Sequence, residues 1–125
     1  MEVKAKSRFL RLAPRKVRLV VDVVRGLDIE AARRQLQFMH RSAALPILKL
    51  INSAAANATH NNQLDVTKLF IKSITADVGP TYYRYAPRAM GRATPVRKRT
   101  THVSIILAER TPSKAETKNK KNAKK

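Results

Sequence analysis

The interval between Asp77 and Glu109 contains no acidic residue, yet it holds Arg84, Arg88, Arg92, Arg97, Lys98 and Arg99. From Gly79 to Thr100 it also carries Pro80, Pro87, Pro95 and Gly91 and little apolar content. Such a stretch cannot bury a core of its own, and its like charges repel one another. A structureless insert of this length in a compact domain is uncommon and usually functional. The alternative is that the β-rich segments on either side, Leu69–Val78 and Thr101–Ala108, run outward as a long hairpin turning near Ala89–Arg92. Ten residues per arm would project roughly 30 Å at about 3.3 Å per residue. An isolated two-stranded ribbon is marginal in water, so it needs something to lie against.

The rest of the chain is basic as well. Its 125 residues include 27 Lys+Arg against 8 Asp+Glu, a formal net charge of +19. A second cluster comprises Lys4, Lys6, Arg8, Arg11, Arg15, Lys16 and Arg18, and lysines after Thr111 form a third. Any one run reads as a solvated face. Three runs with this net charge point to a polyanion, and nucleic acid is the best fit. Five of the six cations in the acid-free interval are Arg, whose planar fork can hold phosphate bidentately. Without a recognition helix or zinc-finger spacing, RNA fits better than DNA, and a basic arm suits insertion between folded RNA segments. An anionic membrane is the competing polyanion, but no basic helix has a matching apolar face of Trp, Phe and Leu. No segment reaches the roughly 20 apolar residues that span a bilayer, and the start lacks the apolar run of a secretion signal.

Hydrophobic residues make up 43% of the chain, enough for a modest core. Val3, Ala5, Ser7 and Phe9 alternate with Lys4, Lys6 and Arg8, which predicts a first strand with one basic face, suited to a sheet edge. Pro14 fits the first turn of a helix and Gly26 its end, with Val17, Val20, Val21 and Val24 as the inward stripe. A buried strand is the lesser alternative there, because valine is a weak helix former. Asp22 reads as a surface partner of Arg18 or Arg25. Asp28 is expected to cap a second helix to about Met39, with Ala32, Leu36 and Met39 inward. Ser42 is expected to cap a third and longest helix to about His60, with Pro46 in its first turn. Leu48, Ile51, Ala55 and Ala58 would face inward, and Asn61-Asn62 would form a left-handed exit.

Catalytic chemistry is poorly served. The chain has no cysteine, which excludes disulfides, thiolate metal sites and thiol catalysis. His40, His60 and His102 are too scattered for a metal motif, no close carboxylate pair stands out, and Gly91 alone is no phosphate loop. Catalytic residues, metal ligands and cofactors are therefore all expected to be none.

Pro87-Arg88-Ala89-Met90-Gly91-Arg92-Ala93, followed by Arg97-Lys98-Arg99-Thr100 and His102-Val103, is a distinctive combination. It resembles the signature hairpin of the large-subunit ribosomal protein L twenty-two family of bacteria and organelles. Leu12-Ala13-Pro14-Arg15-Lys16-Val17-Arg18 resembles the start of that family's first helix. Asn52-Ser53-Ala54-Ala55-Ala56-Asn57-Ala58 resembles the end of its long helix, and Gly79-Pro80-Thr81 the base of its hairpin.

The resemblance implies an α+β fold, with three helices on a small three-stranded antiparallel sheet and a long protruding β-hairpin. It covers roughly residues 3–110, and residues 1–110 are expected to be a single domain that includes the hairpin at about 79–100. It implies a non-enzymatic constituent of the large subunit in the cytoplasm or an organelle. The expected partners are 23S rRNA, neighbouring large-subunit proteins and the nascent polypeptide, with no membrane and no homo-oligomer. Along the hairpin, Arg84, Arg88, Arg92, Arg97, Lys98 and Arg99 would contact RNA. The tip, Arg88, Ala89, Met90, Gly91 and Arg92, would face the polypeptide exit tunnel. The basic residues Lys4, Lys6, Arg8, Arg11, Arg15, Lys16 and Arg18 complete the expected RNA-binding set.

Two features depart from the family. Tyr83 stands where a basic or amide residue is usual, and Tyr82 and Tyr85 make the stretch aromatic. They could stack on bases or pack across the ribbon. The lysine-rich tail 111–125 has no core-forming residue and is expected to be disordered when free. The competing reading is a basic RNA chaperone or regulator that acts off the ribosome.

Overall fold

Pro14 opens helix α1 (Pro14–Val24), where its missing N–H leaves no intrahelical bond unmade. Val17, Val20, Val21 and Val24 are buried along one side, as the i, i+3, i+4, i+7 spacing predicts. Burial of that stripe outweighs valine's weak helix propensity, and the strand alternative falls away. Gly26, at φ 78, turns the chain into α2 (Ile29–Phe38), which buries Ile29, Ala32 and Leu36. The computed structural model describes residues 1–110, so the expected disorder of 111–125 lies outside the described residues.

Two expected caps are absent. Asp28 occupies the N-cap position of α2, but its carboxylate bonds no helix N–H and pairs instead with Arg110 at 3.4 Å. Ser42 lies one residue too far out for α3 (Ala44–Asn62), whose N-cap is Ala43 in a helical conformation. A turn closed by Ala44 N–H on Arg41 C=O leads the chain in directly. At the other end the left-handed residue is Gln63, one position beyond the expected asparagines, and its N–H and that of Leu64 close on Thr59 and Ala58. Ala54, Ala55 and Ala58 are buried, and their small side chains let α3 lie close to the sheet and to α2.

Three antiparallel strands run in the order β1-β3-β2: β1 (Glu2–Leu10), β2 (Leu69–Pro87) and β3 (Ala93–Glu109). The central strand buries Val103, Ile105 and Leu107 beneath the helices, beside Val3 of β1 and Leu69, Ile71, Ile74 and Ala76 of β2. Alternation in β1 holds only to Ser7. Phe9 takes φ 56 and is 56% exposed, while Leu10 turns inward to pack on the core. His102 accounts for the break: its Nδ1 accepts the Phe9 N–H at 3.0 Å, and the two rings meet edge to face at 4.9 Å.

β2 is the other edge, and its outward backbone groups are covered by α1 and the loop after it. Arg18 Nε donates to Ala76 C=O at 3.1 Å and Arg25 Nη2 to Ile74 C=O at 3.3 Å. Gly26 N–H donates to Ile71 C=O, and Ile71 N–H donates to Leu27 C=O. Asp22 pairs with Arg25 at 3.1 Å and leaves Arg18 to the strand.

At Gly79 and Pro80 a bulge separates the body register, ending at Val78↔Thr101, from the hairpin register, beginning at Thr81↔Arg99. A Cβ on Gly79 would sit 2.5 Å from Thr100 Oγ1. That hydroxyl is itself fixed, donating to Pro80 C=O at 2.6 Å. Beyond the bulge, pairing continues to Pro87↔Ala93, about 20 Å of ladder at 3.3 Å per residue. The reach is shorter than ten residues per arm because Gly79 and Pro80 form the bulge and Arg88 belongs to the tip turn.

Glu2 is bridged to Lys72 across the sheet, and that hydrogen bond, then the charge of Lys72, holds its carboxyl below the ordinary value. The pair's contribution is complete above the ordinary carboxyl value and is lost as pH falls through the lowered one. Both side chains are about half exposed, so the effect is small. Glu2→Gln should therefore lower the melting temperature slightly at pH 7, and the gap should close in acid. A larger loss is expected from Gly79→Ala, about 1–3 kcal/mol for overpacking against a pinned hydroxyl, read by urea denaturation.

Candidate nucleic-acid interface

The hairpin leaves the body beside the start of α1, and the two enclose a cleft of about 800 Å³. Its walls bring together Arg11, Arg15 and Lys16 from one side and Arg84, Arg97, Lys98 and Arg99 from the other. The junction is built by two threonines: buried Thr101 donates to Leu12 C=O at 2.6 Å, and Thr100 closes on Pro80. These bonds fasten both the segment before α1 and the hairpin base to β3. Groups more than 65 residues apart in sequence thereby share one concave surface.

Seven of the thirteen expected RNA-binding residues meet in this cleft. The others divide among three places. Lys4 and Lys6 pair in register with Ile106 and Ser104, on the face of the sheet opposite the buried core, and Arg8 follows them in exposed positions. Arg88 and Arg92 lie at the tip. Arg18 is committed to the body, through its bond to Ala76 on β2. Among the described residues the four ion pairs all lie outside the cleft: Asp22–Arg25, Asp65–Lys68, Glu2–Lys72 and Asp28–Arg110. Its cations are thus left without a carboxylate partner, beside the positive end of α1.

At the tip, a single turn Ala89–Gly91 joins the arms. Arg88 N–H donates to Arg92 C=O at 2.7 Å, and Arg92 N–H to Ala89 C=O at 3.4 Å. Met90 and Gly91 are consecutive left-handed residues, at φ 59 and φ 66. Arg88 Nε donates to Thr94 Oγ1 at 2.9 Å, which holds one tip cation against the ribbon. Met90 is 94% exposed, so a flexible thioether stands bare in the turn between Arg88 and Arg92.

The family model described as ribosomal protein L22p/L17e matches residues 5–108. The chain belongs to this family. Its relatives include the large ribosomal subunit protein uL22 of Myxococcus xanthus, 52% identical over 111 residues, covering 87% of this chain and 97% of that protein. The protein of the same name from Syntrophotalea carbinolica is 49% identical, covering 88% of this chain and 100% of the relative. That of Deinococcus radiodurans is 48% identical, covering 85% and 79%. The family match spans β1 to β3 and includes the hairpin and the bulge at its base. The expectation of an α+β fold with three helices on a three-stranded antiparallel sheet agrees with the structure.

Tyr82 also lines the cleft, a role that the sequence leaves open between base stacking and packing across the ribbon. Strand parity was the available signal: residues 82 and 84 share a face of the ribbon, and 83 and 85 take the other. Leu12, Ala13 and Ser42, further lining residues, carried no charge to mark them.

The tip turn yields a sharp test. A Cβ on Gly91 meets nothing within 4 Å, so any penalty there is purely conformational. Gly91→Val should cost about 1–2 kcal/mol locally. Faster amide exchange at 88–92, with the body's melting temperature unchanged, is the expected result.

Proposed function

We propose that the chain is a structural constituent of the large ribosomal subunit, resident on cytoplasmic ribosomes, that binds 23S rRNA through its cleft and hairpin. The observation that carries this reading is a ribbon without a core whose cations lack carboxylate partners, joined to a body that supplies more of the same charge. A polyanion that fills the cleft and flanks the ribbon relieves the repulsion and orders the arm together. Folded RNA has the charge density for this, and Arg forks match its phosphates. The names of the relatives support the placement in the subunit.

The hairpin tip is assigned to the wall of the nascent-polypeptide exit tunnel, by family resemblance and by its shape. Two guanidiniums flanking an exposed Met90 can meet RNA on one side and a passing chain on the other. The body, with its basic β1 face and cleft, would then carry the assembly contacts with rRNA and neighbouring subunit proteins. The functional reading is non-enzymatic: positioning and support, with no cofactor required.

Co-sedimentation with the large subunit on a sucrose gradient is the expected outcome; a chain found only in the soluble fractions would favour an off-ribosome RNA chaperone. Binding to rRNA fragments should weaken steeply with salt, with a log–log slope of about −0.7 to −0.9 for each phosphate neutralised. Amide exchange across 80–99 should be fast in the free protein and slow in the subunit. Deleting Ala89–Gly91 should leave subunit yield largely intact while changing the response to tunnel-binding drugs or stalling nascent chains. Gross loss of subunits would refute that division of labour.

A further inference from the structure

All three tyrosines of the chain lie in the hairpin, and they are not equivalent. Tyr83 and Tyr85 share the ribbon face opposite Tyr82, with exposures of 51% and 73%. Tyr82 lines the basic cleft and is 49% exposed. The one aromatic pair among the described residues is Phe9 with His102, and the one cation–π contact is Arg110 on Phe70. Neither involves Tyr82. A planar ring therefore stands half bare inside a concave site, next to cations with no carboxylate partner.

Cations alone would suit any polyanion. The addition of an aromatic face, with Leu12 and Ala13 also in the wall, suits a ligand that has a flat apolar part as well as charge. Volume narrows the choice further. About 800 Å³ lies within the range of small-ligand sites and is ample for one nucleotide. We infer that the cleft takes an unpaired, extruded nucleotide of RNA, whose base stacks on Tyr82 while Arg11, Arg15, Arg84 and Lys98 hold the flanking phosphates. This rests on the reading that the protein binds rRNA and assigns the kind of RNA element that enters this site, an unpaired loop or bulge rather than a duplex groove.

Because the chain has no Trp, its intrinsic emission comes from these three tyrosines alone. The full chain is titrated with hexauridylate, with a fully paired RNA duplex and with inorganic polyphosphate. Single-stranded RNA should quench the tyrosine emission, and polyphosphate should bind without quenching. Tyr82→Leu should weaken hexauridylate binding about tenfold, the order expected for one lost base–aromatic stack, and leave polyphosphate and duplex binding unchanged. Tyr82→Phe should retain wild-type affinity, whereas Tyr83→Leu and Tyr85→Leu should have little effect. A melting temperature for each variant excludes misfolding as the cause of a loss. Equal hexauridylate affinity of Tyr82→Leu and wild type would overturn this assignment while leaving RNA binding intact. Failure of the wild-type chain to bind either RNA would overturn the parent reading as well.

Discussion

Like-charge repulsion along an arm with no acidic residue is the constraint on which the rest of the molecule turns. Six cations lie between Asp77 and Glu109, and the ribbon that carries them from Thr81 to Arg99 buries almost nothing. The body holds the arm without neutralising it. β3 runs unbroken from the central strand of the sheet into the arm, so the ribbon is an extension of the most buried strand rather than an appended loop. Among the described residues the four ion pairs are placed on the body: two join residues three apart, one ties β1 to β2 and one ties the start of α2 to the end of β3. Glu2, Asp22, Asp28 and Asp65 are thus paired within the body, and among the described residues no ion pair involves an arm cation.

Much of the body was legible because it follows simple periodicities. The valine stripe of α1, Pro14 at its start and Gly26 beyond its end each have one dominant physical reading, borne out by the buried stripe, the helix start at Pro14 and the positive φ of Gly26. The hairpin was legible only as a choice between a structureless insert and a ribbon, which the family resemblance favoured as a ribbon. What escaped were features made by contacts between distant segments. Phe9 leaves the strand alternation because His102, 93 residues away, offers an acceptor to its N–H. Asp28 fails to cap because Arg110 competes for its carboxylate, and Arg18 turns from Asp22 to the bare edge of β2.

The candidate site divides along the same line. Its charge could be read from the chain as two clusters, around Arg11–Lys16 and Arg84–Arg99, but not that they form opposite walls of one cleft. That depends on Thr100 and Thr101, two adjacent hydroxyls on β3 that bond backward to Pro80 and Leu12. Nothing in a Thr-Thr pair announces such a role. A short polar step between a basic run and an apolar strand, as in Arg97-Lys98-Arg99-Thr100-Thr101-His102-Val103, is nevertheless where a strand passes from a solvated arm into a core.

The bulge at Gly79 and Pro80 links these threads. It is where the close Thr100 hydroxyl excludes a Cβ, where the arm's register departs from that of the body, and where one wall of the cleft begins. A β-bulge increases local twist, so the direction of the arm and the shape of the cleft are set by the same two residues. A partner gripping the cleft therefore also constrains the arm's direction. The tip, seven register pairs further out, then needs no independent anchor to be aimed. Reach and grip are coupled through one turn of backbone, and a substitution that loosens Gly79 should disturb both together, whereas one at Gly91 should disturb only the tip.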